Sequence, residues 1–192
     1  MEILAAKPNS RRPAIVAAAT SLFAKRGIDA TSMRDIADRA GVREAAIYRH
    51  FPGKKELARE IFLSWYGWYS GELRRIVGGP GSTSERLREI VRHEFAAATD
   101  YGEAFIYFCD NELRFVRELP PEVMSVRKIL TSFITAGQAC GEVRTGEPKL
   151  IADMLSGALC AVALGWLRSG RRKPLSLQVD EVARLCWAMI SA

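Results

Sequence analysis

The sequence has little of what catalytic and metal centres are built from. Its 192 residues include only two histidines, His50 and His93, and four cysteines, at 109, 140, 160 and 186. No cysteine pair has CxxC spacing, so neither a zinc site nor a thioredoxin-type pair is expected. The four read as reduced, mostly buried thiols of a cytoplasmic chain. Glu89 and His93 stand four apart like a metal pair, but no third ligand accompanies them, and His93 reads as an ordinary helix-face residue. Cys109 with His93 lacks an orienting acid and an oxyanion hole. No glycine-rich, phosphate-cradling loop is present. An enzyme is therefore not expected, nor a cofactor, nor a metal. The first residues lack the pattern of a signal peptide. The longest uncharged apolar run, 154–167, has 14 residues; that is short for a bilayer and typical of a buried core helix, so no membrane partner is expected.

What the chain has is positive charge in one place. Up to residue 62 there are 12 basic and 7 acidic residues; the remainder holds 16 and 15. A basic third joined to a nearly neutral remainder points to a polyanion at one end and a different task at the other.

The periodicity is helical throughout, and the expected fold is all-α, with about nine helices and no strand. Ile15, Ala18, Ala19, Leu22 and Phe23 form one apolar stripe ended by Gly27. Ser32 and Asp35 read as a capping box opening a second helix. After Gly41-Val42 comes a short third helix of about two turns carrying Ile47 and Phe51. A long fourth helix starts near Lys54, with Leu57, Ile61, Trp65 and Trp68 inward. Ser82 and Glu85 form a second capping box, opening a helix broken at Asp100-Tyr101-Gly102. The next carries Phe105, Phe108, Cys109, Leu113 and Val116. Pro120-Pro121 is expected to begin another, ending near Gly141. Pro148 opens the apolar penultimate helix, a basic loop follows at 171–174, and a final amphipathic helix carries Val179, Val182, Cys186, Met189 and Ile190.

Two short helices joined by a Gly-Val turn, the second studded with polar side chains, have the logic of a helix-turn-helix. The stretch TSMRDIADRAGVREAAIYRHFPGKKEL resembles the DNA-binding domain of the TetR family of transcriptional regulators, over roughly residues 11–60. Beyond that, the likeness is one of helix number and length. The resemblance implies a helix-turn-helix DNA-binding domain over 1–56 and a helical ligand-binding and dimerisation domain over 57–192. Ser32 would cap the second helix beside a phosphate. Arg43, Glu44 and Ala45 would lead the recognition helix. Tyr48, Lys54 and Lys55 would reach phosphates. Arg49 and His50 would touch the backbone or close the groove, with His50 otherwise half-packed on the first helix. Arg43 departs from the family's usual Ser or Thr; arginine cannot cap, but can read guanine O6 and N7 or grip a phosphate.

A homodimer through the last two helices is expected, because one helix-turn-helix covers only a few base pairs. Gly157, Ala161 and Gly165 make a strip of small residues, joined by Val182, Cys186 and Met189. An apolar or aromatic effector would be enclosed by Trp65, Trp68, Phe105, Phe108, Cys109 and Phe133, with Asn111, Glu112, Thr131 and Thr135 as polar contacts. The same rings also fit a solid core. The expected function is a repressor released from a palindromic operator by that effector; a DNA-binding regulator without a small ligand is the alternative.

Overall fold

The structure is a computed structural model and describes residues 11–170 and 173–192. The basic loop expected at 171–174 therefore falls partly outside the described residues, as do the first ten. Nine α-helices are present among those described: α1 (Arg12–Arg26), α2 (Met33–Ala40), α3 (Glu44–Tyr48), α4 (Lys54–Val77), α5 (Thr83–Asp100), α6 (Gly102–Phe115), α7 (Val126–Ala139), α8 (Pro148–Arg168) and α9 (Val179–Ile190). They fall into two compact units. Among the described residues, one contains those up to Trp68 together with Glu103–Leu119; the other contains Tyr69–Gly102 and those from Pro120 onward.

The first unit is built on α1, whose proline lies in the first turn and whose end is Gly27 at φ 80°, its N–H bonded to the Phe23 carbonyl. Ile15, Ala19, Ile36, Ile47, Phe51, Leu57 and Phe62 are almost wholly shielded from water. The helix α6 packs into this same core. The Tyr107 hydroxyl donates to the Ala58 carbonyl at 2.7 Å, and its ring stacks on Phe23 at 5.7 Å. Phe108 lies 4.4 Å from Trp65 and 5.6 Å from Phe62, centroid to centroid. Such offset and tilted ring pairs add to simple area burial.

The second unit holds the end of α4 with α5, α7, α8 and α9. Its α5 opens on the expected box: Ser82 Oγ accepts from the Glu85 N–H, and the Glu85 carboxylate accepts from the Ser82 N–H at 2.8 Å. Gly137 lets α7 approach the following loop; a Cβ there would collide with Val143. That loop meets the last residues, the Arg144 N–H donating to Ile190 O at 2.9 Å and the Ala192 N–H to Glu142 O at 3.2 Å. On the buried face of α5, His93 Nε2 lies 3.2 Å from the carbonyl of Tyr69 on α4, the two rings stack at 4.6 Å, and the Tyr69 hydroxyl bonds to the buried Glu94 carboxylate.

Several expectations are corrected. The helix α3 has five residues, not two turns, and Phe51 lies beyond it, held by its N–H on the Ile47 carbonyl at 2.9 Å. Pro120-Pro121 does not open α7, which begins at Val126 under a Ser125 cap; the residue before a proline resists helix, and the prolines here shape a turn. The helix expected to carry Val116 ends at Phe115. Only Cys186 of the four thiols is buried. The apolar α8 buries only Ala152, Leu155, Leu159 and Ala163. The all-α expectation stands: among the described residues there is no strand, and Val143 with Ser191 forms only an isolated antiparallel bridge.

Two outcomes follow. Ser82→Ala should cost about 1 kcal/mol, the usual worth of an N-cap, measured by urea unfolding. Burial holds His93 below its ordinary 6.5, so as pH falls past 6.5 the unfolded chain takes up the proton first and stability declines. Melts between pH 7.5 and 5 should show this decline, and His93→Gln should flatten it.

Candidate nucleic-acid interface

The helix-turn-helix is held by local chemistry. Ser32 has extended backbone, φ −96° and ψ 161°; its Oγ accepts from the Asp35 N–H at 3.0 Å, and the Asp35 carboxylate accepts from the Ser32 N–H at 2.9 Å. Those bonds, first the backbone one, hold the Asp35 carboxyl below the usual carboxylate range. The helix α2 ends at Gly41 in the left-handed region, φ 64°, and the Val42 N–H returns to the Ala37 carbonyl at 3.0 Å. This is the helix-end geometry that glycine alone adopts without strain. Three residues later α3 begins, with Ile47 fully buried.

Around that anchor the predicted reading residues all face water. Arg43, Glu44, Ala45, Tyr48, Arg49, His50 and Lys55 are exposed, and Ser32 is exposed at the start of α2. Arg43 stands at the N-cap with extended backbone, φ −75° and ψ 144°, and makes no capping bond; its guanidinium is left for another partner. Tyr48 is 51% exposed, and its hydroxyl lies 3.5 Å from the Glu44 carboxylate. Among the described residues, no hydrogen bond or ion pair engages the side chains of Arg43, Arg49 or Lys55. His50 is exposed rather than half-packed on α1, its ring 6.3 Å from Phe51.

Lys54 is placed differently from expectation. Its ammonium donates to the Thr31 carbonyl at 2.7 Å and the Asp29 carbonyl at 3.1 Å. It thus fastens the α1–α2 loop to the first turn of α4, and one of its three N–H bonds is left for a phosphate. Sequence reasoning did not find this anchoring role, since the partners are backbone atoms.

Residues 15–61 match the family model described as bacterial regulatory proteins, tetR family. Over that segment the chain is similar to the TetR family. Its relatives include the HTH-type transcriptional repressor KstR2 of Mycobacterium tuberculosis (strain ATCC 25618 / H37Rv), 31% identical over 118 residues, covering 62% of this chain and 59% of that protein. The chain thus matches about three fifths of that relative's length. Among solved structures, KstR2 of Mycobacterium tuberculosis superposes with a TM-score of 0.80 at 24% identity, covering 97% of both chains. FadR of Bacillus subtilis in complex with stearoyl-CoA does so with a TM-score of 0.73 at 18% identity, covering 90% of this chain and 96% of that one. At these identities the two structures show the fold.

The residues expected around an effector are distributed over both units. Trp65, Phe105 and Phe108 are buried in the first, Trp65 lying 6.2 Å from Phe105 and 5.9 Å from the half-buried Trp68. Cys109, Asn111 and Glu112 are half-buried on α6, and the Asn111 amide donates to its own helix at Tyr107 O, 2.8 Å. In the second unit Phe133 is fully buried beneath Arg86. Thr131 and Thr135 bond to carbonyls one turn back, Arg127 O and Thr131 O, at 2.7 and 2.9 Å. A cleft of about 730 Å³ within the second unit is lined by Glu72, Arg75, Glu89, Arg92 and His93 among others, a charged lining rather than the aromatic one expected.

Removing exposed contacts should separate reading from holding. Arg43→Ala should cost about 1–3 kcal/mol of operator affinity and relax one base position if it reads guanine. Tyr48→Ala should weaken binding to every duplex. Fluorescence anisotropy against matched and scrambled duplexes checks both, and neither should alter the melting temperature by more than a surface substitution does.

Proposed function

We propose that this chain is a transcriptional repressor that occupies a palindromic DNA operator as a homodimer and leaves it when a large apolar effector binds its helical part. The observation that carries this reading is the exposed face of Arg43, Ala45, Tyr48, Arg49 and Lys55 built on the rigidly closed α2–α3 turn. Among the described residues its cations have no internal partner, which leaves them available to phosphates and base edges. It acts as a cytoplasmic binding protein, not as an enzyme.

The second copy is assigned to the outer faces of α8 and α9. Leu150, Met154, Gly157, Ala161 and Gly165 are exposed along one side of α8, and Leu185, 53% exposed, lies on α9. Val182 and Met189 border that face. Cys186 does not belong to it: with Val179, Ala183 and Ile190 it forms the side of α9 buried within its own chain. The helix α8 is long and apolar enough to cross a membrane by length and composition, with 22% of its most apolar window buried. A partner helix satisfies the same exposed surface, and the small residues allow close approach.

The effector reading draws on relatives. FadR of Bacillus subtilis was solved with stearoyl-CoA, and KstR2 is described as a ketosteroid transcriptional regulator. The effector here is assigned to the same kind, an extended acyl or fused-ring skeleton.

A duplex selected from random sequence by the purified protein should be palindromic, and its affinity should fall steeply with salt as counterions are released. Ala161→Arg, at an exposed position that a monomer tolerates, should yield a folded monomer by sedimentation and lose operator binding. Stearoyl-CoA, as a first probe, should release the duplex. A stable wild-type monomer at micromolar concentration would overturn the dimer, and a duplex-bound monomer the palindrome.

A further inference from the structure

The helix α6 is bolted to the reading head by polar as well as apolar contacts, and one of them reaches α2. The Ser21 hydroxyl of α1 is 4% exposed. It donates to Glu103 Oε1 at 3.0 Å and accepts from Arg39 Nη2 at 2.8 Å. The same Glu103 oxygen lies 3.0 Å from Lys25 Nζ. A carboxylate in the first turn of α6 is thus linked through one buried hydroxyl to a guanidinium in the last turn of α2, 64 residues earlier in the chain.

We propose that Glu103 is a positioning residue for the reading head, which fixes α2 on α1 by acting through Ser21 on Arg39. A serine hydroxyl has one proton and two lone pairs. While Glu103 takes the proton, the lone pairs face Arg39, and each bond polarises the other. Without Glu103 the hydroxyl turns back to its own helix, as Thr20 does by donating to the Val16 carbonyl at 2.9 Å. The α2–α1 contact needs such a clasp because α2 has eight residues and buries only Met33, Ile36 and Ala37. Those three side chains cover its front and middle; Arg39 secures its last turn, the end that aims the Gly41 turn and α3. Burial pushes the Glu103 carboxyl up, but the bonds from Lys25 and Ser21 outweigh it and leave the group below the usual carboxylate range. The acceptor is therefore ionised at neutral pH.

The DNA arm of the test rests on the repressor reading; the exchange arm does not. In the full-length protein, Glu103→Ala should speed amide hydrogen exchange in the last turn of α2 while leaving α5 unchanged. It should also weaken operator binding about tenfold, the scale of one lost hydrogen bond to a charged group. Glu103→Gln keeps an acceptor for the Ser21 proton and should restore most of both. Ser21→Ala should reproduce Glu103→Ala, and the double variant should be no weaker than either single one, because both cut the same path. Unchanged α2 exchange in Glu103→Ala, an unrescued Glu103→Gln, or additive losses in the double variant would overturn the clasp. If the wild type bound no duplex, the repressor reading would fall and the exchange arm would still decide the clasp.

Discussion

A recognition helix of five residues cannot hold itself together. Nucleating one helical turn fixes three residues for a single hydrogen bond, so Glu44–Tyr48 has almost no helical stability of its own. What holds it is the side chain of Ile47, fully buried, with Phe51 buried just beyond and its N–H returning to the Ile47 carbonyl. On the other side the Gly41 turn fixes where α3 begins. Every exposed contact of the reading face inherits its direction from these few buried atoms. A substitution at Ile47 would therefore disturb the geometry of that face, although Ile47 itself is wholly buried.

The same constraint explains how charge is divided in this unit. Some cations are committed to holding the head: Lys54 to the carbonyls of Asp29 and Thr31, Arg39 to Ser21, Arg114 to Asp29 and Arg59 to Glu118. Others, Arg43, Arg49 and Lys55, have no internal partner among the described residues. Exposed ion pairs of the first kind contribute little energy each, but they fix orientation. Arg43 shows the exchange most directly. A serine there would close an N–H of α3; arginine leaves that bond unmade and extends a guanidinium instead, a reasonable trade only because Ile47 already anchors the helix.

Much of this was legible in the sequence wherever the determining contacts are local. Ser32 with Asp35, Ser82 with Glu85, and Gly27 and Gly41 announced helix ends through bonds spanning three to five residues, and the structure has them. The helix number followed from apolar periodicity. What could not be read depends on distant partners. Nothing near Glu103 marks it as a neighbour of Ser21, and nothing near Lys54 marks backbone carbonyls as its acceptors. The attachment of α6 to the head, through Tyr107 and Ala58, is likewise a matter of tertiary contact. Pro120-Pro121 misled because a proline pair fits a first helical turn and a non-helical turn equally well, and the Ser125 cap, five residues on, was the stronger signal. Cys186 was assigned outward because amphipathic spacing shows that two faces exist without saying which one its own chain covers.

That ambiguity bears most on α8. Its sequence is apolar almost all round, yet only the stripe Ala152, Leu155, Leu159 and Ala163 is buried within the chain. Leaving Leu150 and Met154 in water forgoes roughly 25 cal/mol for each Å² of apolar surface they expose, so selection for a lone monomer would favour polar side chains there. Gly157, Ala161 and Gly165 decide what kind of cover the surface fits. Lipid needs no small residues, since acyl chains conform to any side chain; a rigid helix does, because its backbone approaches closely only where side chains are short. The spacing of four keeps these residues on one helix face, in a row inclined by roughly 26° to the helix axis, and a two-fold axis lays an identical row across it. In the proposed dimer that axis also relates the two reading heads, so that the symmetry imposed on the operator originates in three small residues of a helix more than a hundred positions away from Arg43.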